Sequence, residues 1–188
     1  MAETKGEVFS QAEEKMKKAV SVNLEELSTI RSGRATPNLV NKVMVDYYGT
    51  KTPLNQVSNL GVPEPRVLTI TPYDPSSLGA IEKAILASDI GINPNNDGKI
   101  IRLVFPQLTE ERRKELIKIA HTRAEEGRVS VRSIRRHAKQ ELERMKKDGV
   151  LSQDEERGAE NQLQKLTDTY VAQVDENLKR KEAELSEV

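Results

Sequence analysis

Apolar residues recur at three- and four-residue spacing near both ends of the chain and at two-residue spacing in the middle. Phe9, Ala12, Met16, Val20, Leu24, Leu27 and Ile30 form one stripe, which predicts a helix ending near Gly33 and Pro37. A second helix is expected from Thr109, an N-cap with Glu110 and Glu111 in the first turn. Leu116, Ala120, Ala124, Gly127, Val131, Ile134, Ala138, Leu142 and Met145 carry its stripe to Gly149, roughly 58 Å at ~1.5 Å per residue. A third helix starts at Ser152, where Ser152 and Glu155 make a capping box. Its stripe is Ala159, Leu163, Leu166, Tyr170, Val174, Leu178 and Leu185.

Between the first two helices Val43, Val45 and Tyr47 alternate before a turn at Gly49, and Val57 to Val62 reads as a weaker strand. Val67–Ile70 and Ile100–Phe105 read as buried strands. Asp74-Pro75 caps a short helix through Ala84, Ile85 and Leu86, and Asp97-Gly98 is a tight turn before the last strand. All eight prolines fall between Pro37 and Pro106. The chain therefore reads as α+β: a helical bundle over 1–30 and 106–188, with a small β/α/β unit inserted at 31–105. Two crossings join the units. Their punctuating residues are Ser32, Gly33, Arg34 and Pro37 on one and Phe105, Pro106 and Gln107 on the other, and a hinge is expected there.

Composition adds limits. With 36% hydrophobic and 32% charged residues, the chain suits thin helical cores better than one large core. It has no cysteine, which removes disulfides and thiolate chemistry and fits a reducing compartment. No apolar run nears the ~20 residues that span a membrane, and residues 1–18 lack a signal-peptide core. A bacterial cytoplasmic location is the simplest expectation.

Net charge is zero, with 30 basic and 30 acidic residues, but the charges are segregated. Residues 123–147 carry nine basic and four acidic residues; residues 148–188 carry five and eleven. Arg128, Arg132, Arg135 and Lys139 lie within about 60° of each other on a helix, and Arg136 widens the row. The row is centred about 100° from the core stripe, so the arginines are expected to remain outside the bundle. No acid lies within 127–140. Closely spaced arginines suit bidentate phosphate contacts. Arg31 and Arg34 would add to the row if the helices pack antiparallel. The alternative is a solvated face, or one neutralised by acids of the third helix. With two Phe, four Tyr and no Trp, a base-stacking platform is absent, so phosphate contacts to folded RNA fit better than single-strand reading.

Catalytic patterns are missing. Gly91–Lys99 has the wrong glycine spacing for a phosphate loop, and Ile100 follows Lys99 where a magnesium-binding hydroxyl belongs. His121 and His137 are about 24 Å apart on one helix and cannot share a metal. Asp154, Glu155 and Glu156 sit in a first helical turn, where they favour the helix dipole. The expectation is a binding factor with no cofactor, no metal and no enzymatic activity. A helical protein-interaction module is the competing class.

Short segments carry a resemblance along nearly the whole chain. They include Ile30-Arg31-Ser32-Gly33-Arg34-Ala35, Tyr47-Tyr48-Gly49-Thr50, Glu82-Lys83-Ala84-Ile85, Gly91-Ile92-Asn93-Pro94 and Leu108-Thr109-Glu110-Glu111-Arg112-Arg113. Val131-Arg132, Ile134-Arg135-Arg136, Gln164-Lys165-Leu166-Thr167-Asp168 and Lys181-Glu182-Ala183-Glu184-Leu185 continue it. In order and spacing the sequence resembles the bacterial ribosome recycling factor family. The resemblance implies an L-shaped protein, with an antiparallel three-helix bundle and a small β/α/β domain on a flexible hinge. It implies binding to the large-subunit rRNA of the post-termination ribosome, and subunit splitting with elongation factor G and GTP. It places rRNA contacts on Arg31, Arg132 and Arg135; Arg128, Arg136 and Lys139 join them on helix geometry alone. A monomer is expected.

Overall fold

A computed structural model describes residues 4–187; the expected inclusion of residues 1–3 and Val188 in the bundle lies outside the described residues. The chain divides into two compact units. One is helical and runs through Arg31, resuming over Glu110–Glu187; the other is Ser32–Thr109. The second boundary falls where the long helix begins, so Phe105, Pro106 and Gln107 belong to the sheet-bearing unit.

The helical unit contains α1 (Lys5–Ser28) and two long helices that close the chain. Thr4 caps α1 by accepting from the Glu7 amide at 3.2 Å. The buried face of α1 differs from the expected stripe. Val8 and Asn23 are buried, Phe9 is half-buried, and Leu24 is 49% exposed. The reason is packing: α1 touches two neighbours, and the position facing the tightest crossing must hold a short side chain, not the most apolar one.

The sheet-bearing unit is built from short elements. β1 (Met44–Tyr47) and β2 (Thr50–Pro53) form a hairpin whose turn places Tyr48 and Gly49 at φ 50° and 82°. Two consecutive positive φ values match the twist of a two-residue hairpin, and Gly49 takes its share without strain. A short α2 (Leu54–Val57) precedes β3 (Ser58–Glu64), so the expected strand from Val57 starts one residue later. Ser58 Oγ, donating to the Leu54 carbonyl at 2.6 Å, closes that helical turn. β4 (Val67–Pro72) follows. Asp74 then caps a 3₁₀ turn at Pro75–Ser77, which leads into α3 (Leu78–Leu86). β5 (Asn95–Asn96) and β6 (Ile101–Val104) complete a four-stranded antiparallel sheet in the order β3-β4-β6-β5. Leu68, Ile70, Ile101 and Leu103 pack one sheet face against Ile81 and Ile85 of α3 and Val45, Leu54 and Val57. β2 (Thr50-Lys51-Thr52-Pro53) and β5 (Asn95-Asn96) carry no periodic signal because neither contains an apolar residue to alternate.

The β5–β6 turn is fixed by Asp97, whose carboxylate accepts from the Ile100 and Lys99 amides at 2.8 and 2.9 Å. Those bonds, led by Ile100, hold its carboxyl below the usual aspartate range. A lowered folded-state value stabilises the fold above the unfolded value, and that contribution is lost as pH falls through the folded value. A carbon-detected NMR titration is therefore expected to give Asp97 a midpoint below the 3.8 of an unperturbed aspartate.

α4 (Glu110–Lys147) and α5 (Gln153–Ser186) finish the chain. Seen from the sequence stripe, α4 buries every expected residue except Ile134, which is half-buried. Gly149 and Val150 donate back to the Lys146 and Met145 carbonyls and end α4. Ser152 then starts α5: its Oγ accepts from the Glu155 amide at 3.2 Å, while its own amide donates to Glu155 Oε2 at 2.8 Å. Ser152→Ala is expected to cost about 1 kcal/mol in chemical denaturation. In α5 Thr167 is buried and Leu166 only half-buried, against expectation. Thr167 tolerates burial because its hydroxyl donates to the Leu163 carbonyl at 2.8 Å.

Candidate nucleic-acid interface

The mid-section of α4 sits between α1 on one flank and α5 on the other. On the α1 flank, Asn23 is 2% exposed, and its Nδ2 donates to the Arg123 carbonyl at 2.7 Å. A Cβ built on Gly127 would stand 2.6 Å from Asn23 Cγ. Only glycine lets the helices approach so closely, and this pair sets the α1/α4 register.

On the α5 flank, pairs run along nearly the full length of the two helices. Lys146 Nζ meets Glu156 at 2.6 Å, Lys139 meets Glu160 at 3.3 Å, and Arg135 NH1 donates to Gln164 at 2.6 Å. Arg128 NH1 meets Asp175 at 2.5 Å, and His121 pairs with Glu182. Their order shows that α4 and α5 are antiparallel, and that the opposite charge blocks read along the chain face each other in space. The exposed pairs among these each contribute at most about 1 kcal/mol, so they specify alignment more than stability, while the Arg128 and Glu156 side chains are largely covered.

The arginine row therefore splits by direction. Arg128 needs a correction: it does not stay outside the bundle. Its side chain is 18% exposed, and Nε also meets Glu125 at 2.8 Å. Hydrogen bonding to Arg128 holds the Glu125 carboxyl below the usual range, and the same contact, with Asp175, raises Arg128. The absence of acids within 127–140 did not reveal this, because both partners lie beyond that window. Arg135 is half-buried and Lys139 exposed, and both lean toward α5. Lys139 also meets Glu143 at 3.8 Å.

Arg132 and Arg136 point the other way. Arg132 is exposed, and among the described residues its one carboxylate contact is a long 3.3 Å pair with Glu125, seven residues back on its own helix. Arg136 is exposed and has no hydrogen-bond or ion-pair partner among the described residues. One turn apart on the same face, these two guanidiniums leave donors free for an anion. Arg31 is exposed and makes an interaction of its own. In the α1/α4 register the end of α1 is level with α4 near residue 122, so Arg31 lies beyond that end, roughly 15 Å or more from Arg132. It extends the positive surface along the unit without joining the Arg132 cluster. Arg34 lies in the other unit.

The remaining polar candidates are structural in their geometry. His137 Nδ1 is 2.8 Å from the Ser133 carbonyl, Glu155 belongs to the α5 cap, and Glu156 holds Lys146. No group of three or more His, Cys, Asp or Glu residues able to hold a metal occurs among the described residues. No helix there is long and apolar enough to cross a membrane. The Asn23–Gly127 crossing was missed at the sequence level. The signal that marks it is a glycine inside a long helical stripe, which usually has a packing reason.

The family model "Ribosome recycling factor" matches residues 24–185. The ribosome-recycling factor of Saccharopolyspora erythraea is 54% identical over 182 residues, which is 97% of this chain and 98% of the relative. That of Streptomyces avermitilis is 56% identical over the same shares of the two chains. A solution structure of ribosome recycling factor superposes with a TM-score of 0.81 at 39% identity, covering 100% of both chains. A second structure, at TM-score 0.67 and 42% identity over 97% and 98% of the chains, holds the T. thermophilus ribosome recycling factor. There it is bound, with E. coli elongation factor G, to the E. coli post-termination complex.

Proposed function

Because the chain belongs to the ribosome recycling factor family, we propose that it binds the post-termination ribosome through the outward cations of α4 and, with elongation factor G and GTP, splits the ribosome into subunits. The observation that carries the binding mode is the exposure of Arg132 and Arg136, with Arg136 free of any partner among the described residues. The relative assembled with elongation factor G on a post-termination complex supports the choice of partners.

In this reading the cations divide their work. Arg132 and Arg136 grip rRNA phosphates, Arg135 and Lys139 sit at the edge of the contact, and Arg31 adds a separate contact. Arg128 ties α5 to α4 and so supports the face from behind. Phosphate contacts give affinity and register without reading base sequence, which suits a factor that meets the same rRNA on every ribosome. In this reading the free energy of splitting comes from the GTPase partner. The factor acts in the cytoplasm, where ribosomes terminate.

The hinge belongs to the same reading. The Ala35 amide donates to the Pro65 carbonyl and the Phe105 amide to the Arg66 carbonyl, both at 2.8 Å. Both chain segments leaving the sheet-bearing unit are thus held at one turn, on the sheet side of the proposed hinge at Ser32, Gly33 and Arg34 and at Pro106 and Gln107. Pro37 lies on the pinned side. The deciding experiment is a light-scattering assay of subunit splitting on purified post-termination ribosomes. Splitting is expected only when the factor, elongation factor G and GTP are all present. Splitting without the factor, or by the factor and GTP alone, sinks the reading.

A further inference from the structure

The register set by Asn23 and Gly127 has a consequence on the outside of the bundle. With Asn23 at Gly127, and Ala12 packed in one cluster with Ala138 and Leu142, α1 and α4 run antiparallel. Lys18 then falls level with about Arg132, and Lys15 with about Arg135. Both lysines are on the α4-facing shoulder of α1. Lys15 and Lys18 share a groove with Ser130 of α4, and Lys15 lines the adjoining groove with His137. Both are exposed, and neither has an ion-pair or hydrogen-bond partner among the described residues.

The same grooves hold Glu26 and Glu126 at one end and Glu141 at the other, and among the described residues no carboxylate lines them at the level of Arg132 and Arg136. Going round α4 from Arg132 at ~100° per residue, Arg136 comes next, then Ser133, then His137, then the groove. α4 carries no acid between Glu126 and Glu141, which close the band at either end. Arg132, Arg136, Lys15 and Lys18 thus form a band about two turns tall that wraps across α4 onto α1. Like charges this close disfavour the folded state slightly unless an anion lies against them.

We propose that Lys15 and Lys18 are RNA-backbone contacts: the strand gripped by Arg132 and Arg136 passes across α4 and over the α1/α4 groove, not along the length of the helix. This rests on the arginine reading above and adds a direction to it. A strip of four cations across the helix meets successive phosphates of one strand crossing it, whereas a strand parallel to α4 would leave Lys15 and Lys18 unused.

The test is ribosome binding across a salt series with full-length protein carrying Lys15→Gln and Lys18→Gln together. Lys179→Gln, an exposed lysine on α5, serves as the control. Each lost phosphate contact lowers the log–log salt slope by about 0.7–0.9, so the double variant should lose about 1.5 units of slope and at least about tenfold affinity at 0.1 M salt. Unchanged thermal melts would show that both variants fold. A double variant that binds like Lys179→Gln, while Arg132 and Arg136 substitutions still weaken binding, overturns the crossing path and leaves the arginine face standing. Loss of effect at all four positions removes both.

Discussion

Reversing the charge at Arg132 and Arg136 together (R132E/R136E) is expected to weaken ribosome binding by more than about a hundredfold and to leave the protein folded. Hydrogen bonds to charged groups contribute about 1.5–3 kcal/mol each, so losing two costs about 3 kcal/mol or more, beyond a factor of 100 in affinity. The salt dependence should flatten in the same variant, since fewer counterions are displaced. Folding is expected to be unaffected because both side chains are exposed and, among the described residues, the only pairing lost is the long contact with Glu125. R128Q should behave in the opposite manner. Arg128 is mostly covered and holds Glu125 and Asp175, so its loss should lower the melting temperature first and change the salt slope little. Sedimentation with ribosomes over a salt series, beside melting curves, separates the two. Equal binding by R132E/R136E and the unaltered protein would leave the solvated-face reading in its place.

That contrast marks what the sequence could and could not disclose. Helix existence, the capping box at Ser152 and the α4 stripe were legible because each depends on residues a few positions apart. The arginine row was legible as a row for the same reason. Its division was not, because Asp175 and Gln164 reach Arg128 and Arg135 from α5, 47 and 29 residues away along the chain. The opposite charge blocks predicted that such pairing was possible, but which arginine it captures depends on register. Burial of Asn23 in place of Leu24 escaped for a related reason: an apolar stripe marks the mean buried face, while a close helix crossing selects by size. The inserted unit was legible through its β-branched runs and its prolines, except at α2, β2 and β5, which are short and carry no apolar alternation of their own. The family resemblance, not geometry, is the ground for proposing rRNA as the polyanion of this face.

Gly127→Ala, conservative on paper, is expected to destabilise the helical unit. In an exposed helix interior the change would stabilise by up to about 1 kcal/mol through helix propensity. Here the added Cβ would lie 2.6 Å from Asn23 Cγ and 2.7 Å from Nδ2, so something must move. Asn23 is buried and committed to the Arg123 carbonyl, and cannot swing aside without losing that bond. Overpacking costs about 1–3 kcal/mol and a displaced buried polar group a further 1–3, so a net loss of about 1–5 kcal/mol survives the propensity gain. The second site makes the argument testable. Asn23 Oδ1 is buried without a partner among the described residues, so Asn23→Ala discards a polar atom that is already unsatisfied. The Arg123 carbonyl keeps its bond within α4. In the double variant N23A/G127A the new methyl occupies the space the amide vacated. It should then be more stable than G127A alone by about 2 kcal/mol, a strong non-additivity between touching residues. Urea denaturation of the four proteins measures the coupling directly. Additive effects, or a G127A protein as stable as its parent, would mean that the two helices do not cross at this glycine. The level placement of Lys18 beside Arg132 would then have no basis.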